Sequence, residues 1–209
     1  MECLVTSKAP DFDSVAVHPS FKNDKNLDGF KPTKLADYHG KWLYLFFYPF
    51  DFTFVCPTEL LSMSEHIEDF KKLGVEVLGV SVDSKFSHFN WLRAPLTEGG
   101  LEGLKFPLLE DLGGVIAEKY GVRAGTKALR ASFLIDPEGV IQHATVNSTA
   151  FGRSAKEHLR IAEAAQYAAK HGEVCPADWE PGAATMKGNF ESKKDYFTNK
   201  RKKAAGGTR

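Results

Sequence analysis

Residues 42–48 (WLYLFFY) are apolar without a break, the pattern of a short strand buried on both faces, and Pro49 closes it. Beyond it, Leu60, Met63, Ile67 and Phe70 recur at helical spacing, and Lys71, Lys72 and Gly74 supply a stop, so one helix is expected there. Residues 75–82 (VEVLGVSV) form a second candidate for a central strand, and 86–92 and 112–120 predict short helices. Residues 131–135 and 140–146, joined by Asp136-Pro137-Glu138-Gly139, predict a β-hairpin. Ser154 with Glu157 three residues on makes a capping box, opening a helix that reaches His171 and stops at Gly172. From Glu173 onward the periodicity fades while Pro, Gly and Lys accumulate, which predicts an arm rather than core. The chain thus divides into a domain at 1–172 and a C-terminal arm at 173–209.

Early strand–helix–strand alternation followed by a hairpin implies an α/β domain, a mixed central sheet flanked by helices. A length of 209 residues suits one such domain with an appendage. Twenty-seven basic residues balance twenty-seven acidic ones, so no global charge draws the protein to nucleic acid or to a membrane surface. The longest apolar run is far too short to span a bilayer. The start, MECLVTSK, lacks the basic n-region and long apolar stretch of a secretory signal. Three cysteines is an odd number for a disulfide scaffold, and a chain this long needs no staples. These features predict a cytoplasmic protein whose thiols begin reduced. The seven histidines show no paired ligand spacing and there is no Cys-x-x-Cys, so no structural zinc site is expected.

The chemistry concentrates in residues 49–59, PFDFTFVCPTE. Cys56 follows a strand and a short loop, and Pro57 stands just inside the helix that begins there, where its missing N–H costs nothing. That placement sets the Cys56 sulfur at the positive end of a helix, which favours thiolate over thiol and makes a nucleophile of it. The competing reading is a buried structural cysteine, the commoner fate of a lone cysteine. Loop placement and the adjacent proline favour the nucleophile.

The same segment resembles the active-site loop of the peroxiredoxins, whose pattern Pro-x-x-x-Thr-x-x-Cys is met by Pro49, Thr53 and Cys56. The stretch HGEVCPADW at 171–179 resembles the resolving-cysteine segment of the typical two-cysteine subfamily, which includes the alkyl hydroperoxide reductase C component and the thioredoxin peroxidases. The resemblance runs from residue 9 to residue 197. It implies a thioredoxin-like fold, with Cys56 as the cysteine that attacks peroxide and becomes a sulfenic acid. It also implies that Thr53 contacts thiolate and peroxide, that Arg130 holds the thiolate and polarises the peroxide, and that Pro49 shields the sulfur from water. Glu59 and Arg153 are implied as the pair that orients the loop, and Cys175 as the resolving cysteine, reaching across a dimer interface. Cys3 matches no position of the pattern.

Each of these residues also has a plainer reading from sequence alone. Thr53 suits a cap for the turn before the helix, and Glu59 suits the helix N-terminus by its charge. Arg130 and Arg153 suit exposed salt bridges, although the start of an apolar strand is an awkward place for one. Cys175 suits a free surface thiol on a mobile tail. The segment Gly99-Gly100-Leu101-Glu102 resembles a Gly-Gly-Leu-Gly motif, and Tyr196-Phe197 a C-terminal Tyr-Phe motif, which the family associates with overoxidation sensitivity. Glu102 departs from the first: where a positive φ is required, glutamate is strained. Tyr196-Phe197 is expected to pack over the active site. The basic end from Lys200 to Arg209 predicts a solvated, disordered tail.

The function this implies is peroxidase activity toward hydrogen peroxide and small organic hydroperoxides, without metal, haem or other cofactor. Electrons would come from thioredoxin or a flavoprotein disulfide reductase, and the implied assembly is a homodimer, five of which close into a decamer. A thioredoxin-type dithiol oxidoreductase is the rival, but it normally has a second cysteine with two residues between the pair at the helix start, whereas here Cys56 is followed by Pro57, Thr58 and Glu59. The resemblance also implies a holdase chaperone role, which some members of the family take on, secondary to catalysis.

Overall fold

The computed structural model describes residues 3–19 and 29–206, and these divide into two compact units, Met1–Ala155 and Lys156–Arg209. The first unit contains strands β1 (Asp13–Val17), β2 (Phe30–Lys34), β3 (Trp42–Phe47), β4 (Val75–Ser81), β5 (Leu108–Glu110), β6 (Arg123–Ala124), β7 (Lys127–Ala128), β8 (Arg130–Ile135) and β9 (Ile141–Asn147). Its helices are α1 (Cys56–Glu65), α2 (Ile67–Lys72), α3 (Lys85–Trp91) and α4 (Val115–Lys119). Seven strands join in the order β2-β1-β5-β4-β3-β8-β9. The pairs β3–β4 and β4–β5 are parallel and the rest antiparallel, so the sheet is mixed, as expected. The apolar runs 42–48 and 75–82 take the two central places, where both faces are covered and a strand must be apolar throughout.

Alternation splits β3 between two packed faces. Leu43, Leu45 and Phe47 join Leu78 and Val80 of β4, Ala131 and Phe133 of β8, and Ile116, Ala117 and Tyr120 around α4. Tyr44, Phe46 and Tyr48 point the other way, Tyr44 meeting Phe70 of α2 edge-to-face at 5.8 Å. Gly79 of β4 is small for a reason: a Cβ there would stand 2.6 Å from a Leu108 methyl, with Leu60 of α1 close behind.

Three expectations about the first unit need correcting, and three of its strands went unread. The helix after Cys56 is two helices. His66 sits between them at φ −96 and ψ 8, and its ring Nδ1 lies 3.0 Å from the Ser62 carbonyl, a side-chain claim on an oxygen the helix would use. Helix α4 is shorter than 112–120, because Gly113 and Gly114 take positive φ and the Asp111 carboxylate accepts from the N–H groups of Ile116 and Ala117. In the Gly-rich loop the positive φ values fall on Gly99 and Gly103, so Glu102 carries no such strain. Strands β1, β2 and β5 had no clear signal: β2 is a polar edge strand with Pro32, and β5 spans three residues.

The second unit holds all but the first residue of helix α5, which spans Ala155–His171 and ends at Gly172 with φ 64. It also holds α6 (Phe190–Gly206), a helix the fading periodicity gave no reason to expect. The α6 sequence lacks an apolar stripe, yet it is rich in Lys, a good helix former, and the Asn189 carboxamide oxygen caps Ser192 N–H at 2.9 Å. The basic end expected to be disordered is therefore helical through Gly206; residues 207–209 lie outside the described residues. Among the described residues, no helix is long and apolar enough to cross a membrane.

Candidate active site

Strand β3 ends against β4, with Tyr48 N–H donating to Val80 O at 3.0 Å, and the chain turns at buried Pro49 into a loop reaching Val55. Phe52 takes a left-handed conformation, φ 52, uncommon for a bulky residue. The Thr53 hydroxyl donates to Phe50 O at 2.9 Å, the plain turn-closing role. Val55 caps α1, Cys56 is its first residue, and Pro57 follows in the first turn. The Cys56 sulfur therefore sits at the helix mouth, as read from the sequence. It is also fully buried, so burial and nucleophile placement, set against each other in the sequence, coexist here.

What distinguishes this sulfur from a structural one is its neighbour. Arg130 opens β8, which runs antiparallel to β3 with Phe47 opposite Ala131, so the start of β8 meets the end of β3 where the Cys56 loop leaves. Arg130 Nη1 donates to Cys56 Sγ at 3.3 Å and to Glu59 Oε2 at 2.8 Å, while Nε and Nη2 donate to Thr149 O at 3.2 and 3.0 Å. A guanidinium held by Glu59 and by the Thr149 carbonyl presents its charge to sulfur without needing to move.

Glu59, one turn into α1, binds two arginines. Its Oε1 accepts from Arg153 Nε and from the Arg153 backbone N–H, each at 2.8 Å. The side chains of Glu59, Arg130 and Arg153 are 1%, 4% and 2% exposed, so these are not surface salt bridges. Arg153 also donates to Ala131 O and lies 3.5 Å over the Phe46 ring. Burial pulls its guanidinium below the usual value, and the Glu59 carboxylate opposes that pull.

Cys56, Arg130, Glu59 and Arg153 are thus joined by direct contacts, and Pro49 and Thr53 lie on the loop that delivers Cys56. Cys175 belongs to the second unit. There it is partly buried, its sulfur 3.6 Å from Ala164 O of α5, and burial pushes its thiol up, followed by the negative charge of Glu173. A two-way bridge between Val174 and Met186 holds the segment, and Tyr167 packs on Trp179 with ring centroids 5.1 Å apart. The rings of Tyr196 and Phe197 on α6 meet edge-to-face at 5.4 Å.

Sequence reasoning missed a second buried polar group beside the loop. The Tyr48 hydroxyl donates to Asp51 Oδ1 at 2.8 Å, Asp51 Oδ2 lies 2.8 Å from His88 Nδ1, and His88 Nε2 lies 3.2 Å from Leu109 O. Burial, then the Asp51 charge, push the Tyr48 phenol well above its ordinary value, so it stays a donor. The available signal was Asp51 itself, a carboxylate in an otherwise aromatic loop. Its partners on other elements left no trace in spacing. Among the described residues, no group of three or more His, Cys, Asp or Glu is placed to hold a metal ion.

Comparison with known proteins agrees with this geometry. Residues 5–144 match the AhpC/TSA family, and residues 164–199 match the C-terminal domain of 1-Cys peroxiredoxin. Peroxiredoxin-2 of Mus musculus is 50% identical over 197 residues, 93% of this chain and 95% of the mouse protein. The reduced 2-Cys peroxiredoxin of Plasmodium vivax superposes with a TM-score of 0.88 at 40% identity, over 94% of this chain and all of that one. The thioredoxin peroxidase I of Plasmodium yoelii gives 0.73 at 42% identity, over 85% of this chain and 99% of that one. On these matches the chain belongs to the AhpC/TSA family: it has a thioredoxin-like fold and is a peroxiredoxin, an enzyme that reduces peroxides through a cysteine thiol.

Proposed function

We propose that Cys56 is the cysteine that attacks the peroxide. The observation that carries this reading is Arg130 Nη1, 3.3 Å from the sulfur at the mouth of α1. The Cys56 thiolate forms a bond to one peroxide oxygen and supplies the electron pair; the O–O bond breaks, and the second oxygen leaves as hydroxide or alkoxide and takes up a proton. Cys56 becomes a sulfenic acid. The Arg130 guanidinium faces the reacting centre, where negative charge moves from sulfur to the leaving oxygen. Thr53 supplies a hydroxyl from the same loop, Pro49 keeps bulk water from the sulfur, and Glu59 with Arg153 holds Arg130 and α1 in place.

Cys175 of a partner chain then attacks the sulfenic sulfur and expels water, giving an intersubunit Cys56–Cys175 disulfide. The raised Cys175 thiol supports this order of events, because a protonated thiol waits rather than competing for peroxide. A two-electron reductant returns both thiols; we assign that role to thioredoxin or a flavoprotein disulfide reductase, a thioredoxin peroxidase being among the relatives. Substrates are hydrogen peroxide and small alkyl hydroperoxides, the working assembly is a dimer that closes into a decamer, and the setting is the cytoplasm, where thiol reductants are renewed.

The test is peroxide consumption with thioredoxin, thioredoxin reductase and NADPH, comparing the native chain with Cys56→Ser and Cys175→Ser. Cys56→Ser is expected to be inactive. Cys175→Ser is expected to consume one peroxide per chain without turning over. Full activity in Cys56→Ser would overturn the assignment.

A further inference from the structure

Asp51 stands between Pro49 and Thr53 in the loop that delivers Cys56, and its backbone N–H and both carboxylate oxygens are each taken by a different part of the first unit. Its backbone N–H donates to Asp83 Oδ2 at 2.9 Å, just beyond β4. Its Oδ1 accepts from the Tyr48 hydroxyl at the end of β3, and its Oδ2 pairs with His88 of α3. The Asp51 and His88 side chains are 1% and 0% exposed. Asp83 is itself fixed by the Ser81 hydroxyl at 2.6 Å, and His88 by Leu109 O of β5. The loop is therefore tied through one residue to the ends of β3 and β4, to α3 and, by way of His88, to β5.

The residue after Asp51 explains why such a tie is needed. Phe52 holds φ 52, a conformation its side chain disfavours and that persists only where the surroundings over-determine it. Its ring rests on Trp91 of α3, centroids 5.8 Å apart, yet remains largely exposed, so ring packing alone is a weak restraint. From Phe52 the chain passes through Thr53 to Cys56 in four residues. A relaxed Phe52 would shift the hydroxyl and the sulfur together.

We propose that the buried Asp51–His88 pair, braced by Tyr48 and Asp83, is the clamp that holds the Cys56 loop in the geometry that reacts with peroxide. It makes Asp51 and His88 positioning residues, touching neither sulfur nor substrate, and rests on the reading that Cys56 is the attacking residue. Peroxide reduction needs an in-line approach to a fixed sulfur, and misplacement by about 1 Å is enough to cost about 100-fold in rate. Alkylation by iodoacetamide needs an accessible thiolate but no fixed alignment of the groups around it.

The full-length protein separates these two demands. Asp51→Asn keeps the shape of the side chain but sets an amide where two donors meet a carboxylate. Its rate constant for Cys56 oxidation by hydrogen peroxide is expected to fall tenfold or more, and that of the milder Tyr48→Phe about threefold. Alkylation of Cys56 by iodoacetamide in the same proteins is expected to be unchanged or faster, since a loosened loop exposes the sulfur. A folded Asp51→Asn protein with the native peroxide rate overturns the clamp, and so does an equal loss of both reactivities, the mark of general damage. Where Asp51→Asn does not fold, as judged by circular dichroism, Tyr48→Phe decides by the same ratio. Full activity in Cys56→Ser would instead remove the reading on which the clamp rests.

Discussion

Arg130 Nη1 lies 3.3 Å from the Cys56 sulfur, although 74 residues separate the two along the chain. The same nitrogen reaches Glu59, and the rest of the guanidinium is spent on Thr149 O. The contact is thus a fixed arrangement of a delocalised charge, and a point charge on a flexible stem cannot copy it.

Arg130→Lys is accordingly expected to slow Cys56 oxidation by about 100-fold, the usual scale for removing one preorganised group from a site of developing charge. Stopped-flow measurement with hydrogen peroxide checks it. A loss under threefold would mean that charge alone, not the hold by Glu59 and Thr149 O, is what the sulfur needs.

Glu59→Gln leaves two buried arginines sharing a neutral amide. Breaking one partner of a buried pair costs about 3–5 kcal/mol, and at this chain length each kcal/mol moves the midpoint by about 2–4 °C. Thermal unfolding is expected to drop by about 10 °C, with peroxidase activity falling below the unfolding transition as Arg130 loses its anchor.

The Cys175 thiol is raised above its ordinary value by burial and, second, by the charge of Glu173. A raised thiol is protonated over a wider range, so its reactivity climbs with pH through and beyond the ordinary thiol range. Glu173→Gln removes one of the two causes and is expected to move the climb to lower pH. Alkylation of Cys175 against pH in a Cys56→Ser background reads this, and an unmoved or upward-moved curve contradicts it.

In the Gly-rich loop, Gly100 and Glu102 are expected to respond in unequal measure. A Cβ at Gly100 would stand 2.0 Å from Ala94 O, a backbone atom that cannot swing away, so Gly100→Ala should destabilise by about 1–3 kcal/mol. Glu102 has no positive φ to relieve, so Glu102→Gly should bring no gain and cost up to about 1 kcal/mol in denaturant unfolding.

Much of this molecule was legible in its residues. The uninterrupted apolar runs at 42–48 and 75–82 marked the central strands, because only a strand covered on both faces can be apolar at every position. The turn at 136–139 marked the hairpin, and Gly172 the end of α5. Signals failed where a local competitor intervened, as His66 does between α1 and α2, or where burial was slight, as in polar edge strand β2 and in α6.

For the site, local chain chemistry determined that Cys56 stands where a strand and loop enter a helix, because Pro57 is at ease only in a first turn and Pro49 ends the apolar run. The peroxiredoxin pattern of Pro49, Thr53 and Cys56 was likewise contained in one short segment. Tertiary structure decided what surrounds the sulfur. Pairing of β8 against β3 brings Arg130 to the loop, Arg153 folds back onto Glu59 and Phe46, and α3 carries His88 to Asp51. The reason is physical: periodicity reports which way a side chain faces along its own element, whereas register and packing between elements are set by contacts distant in the chain.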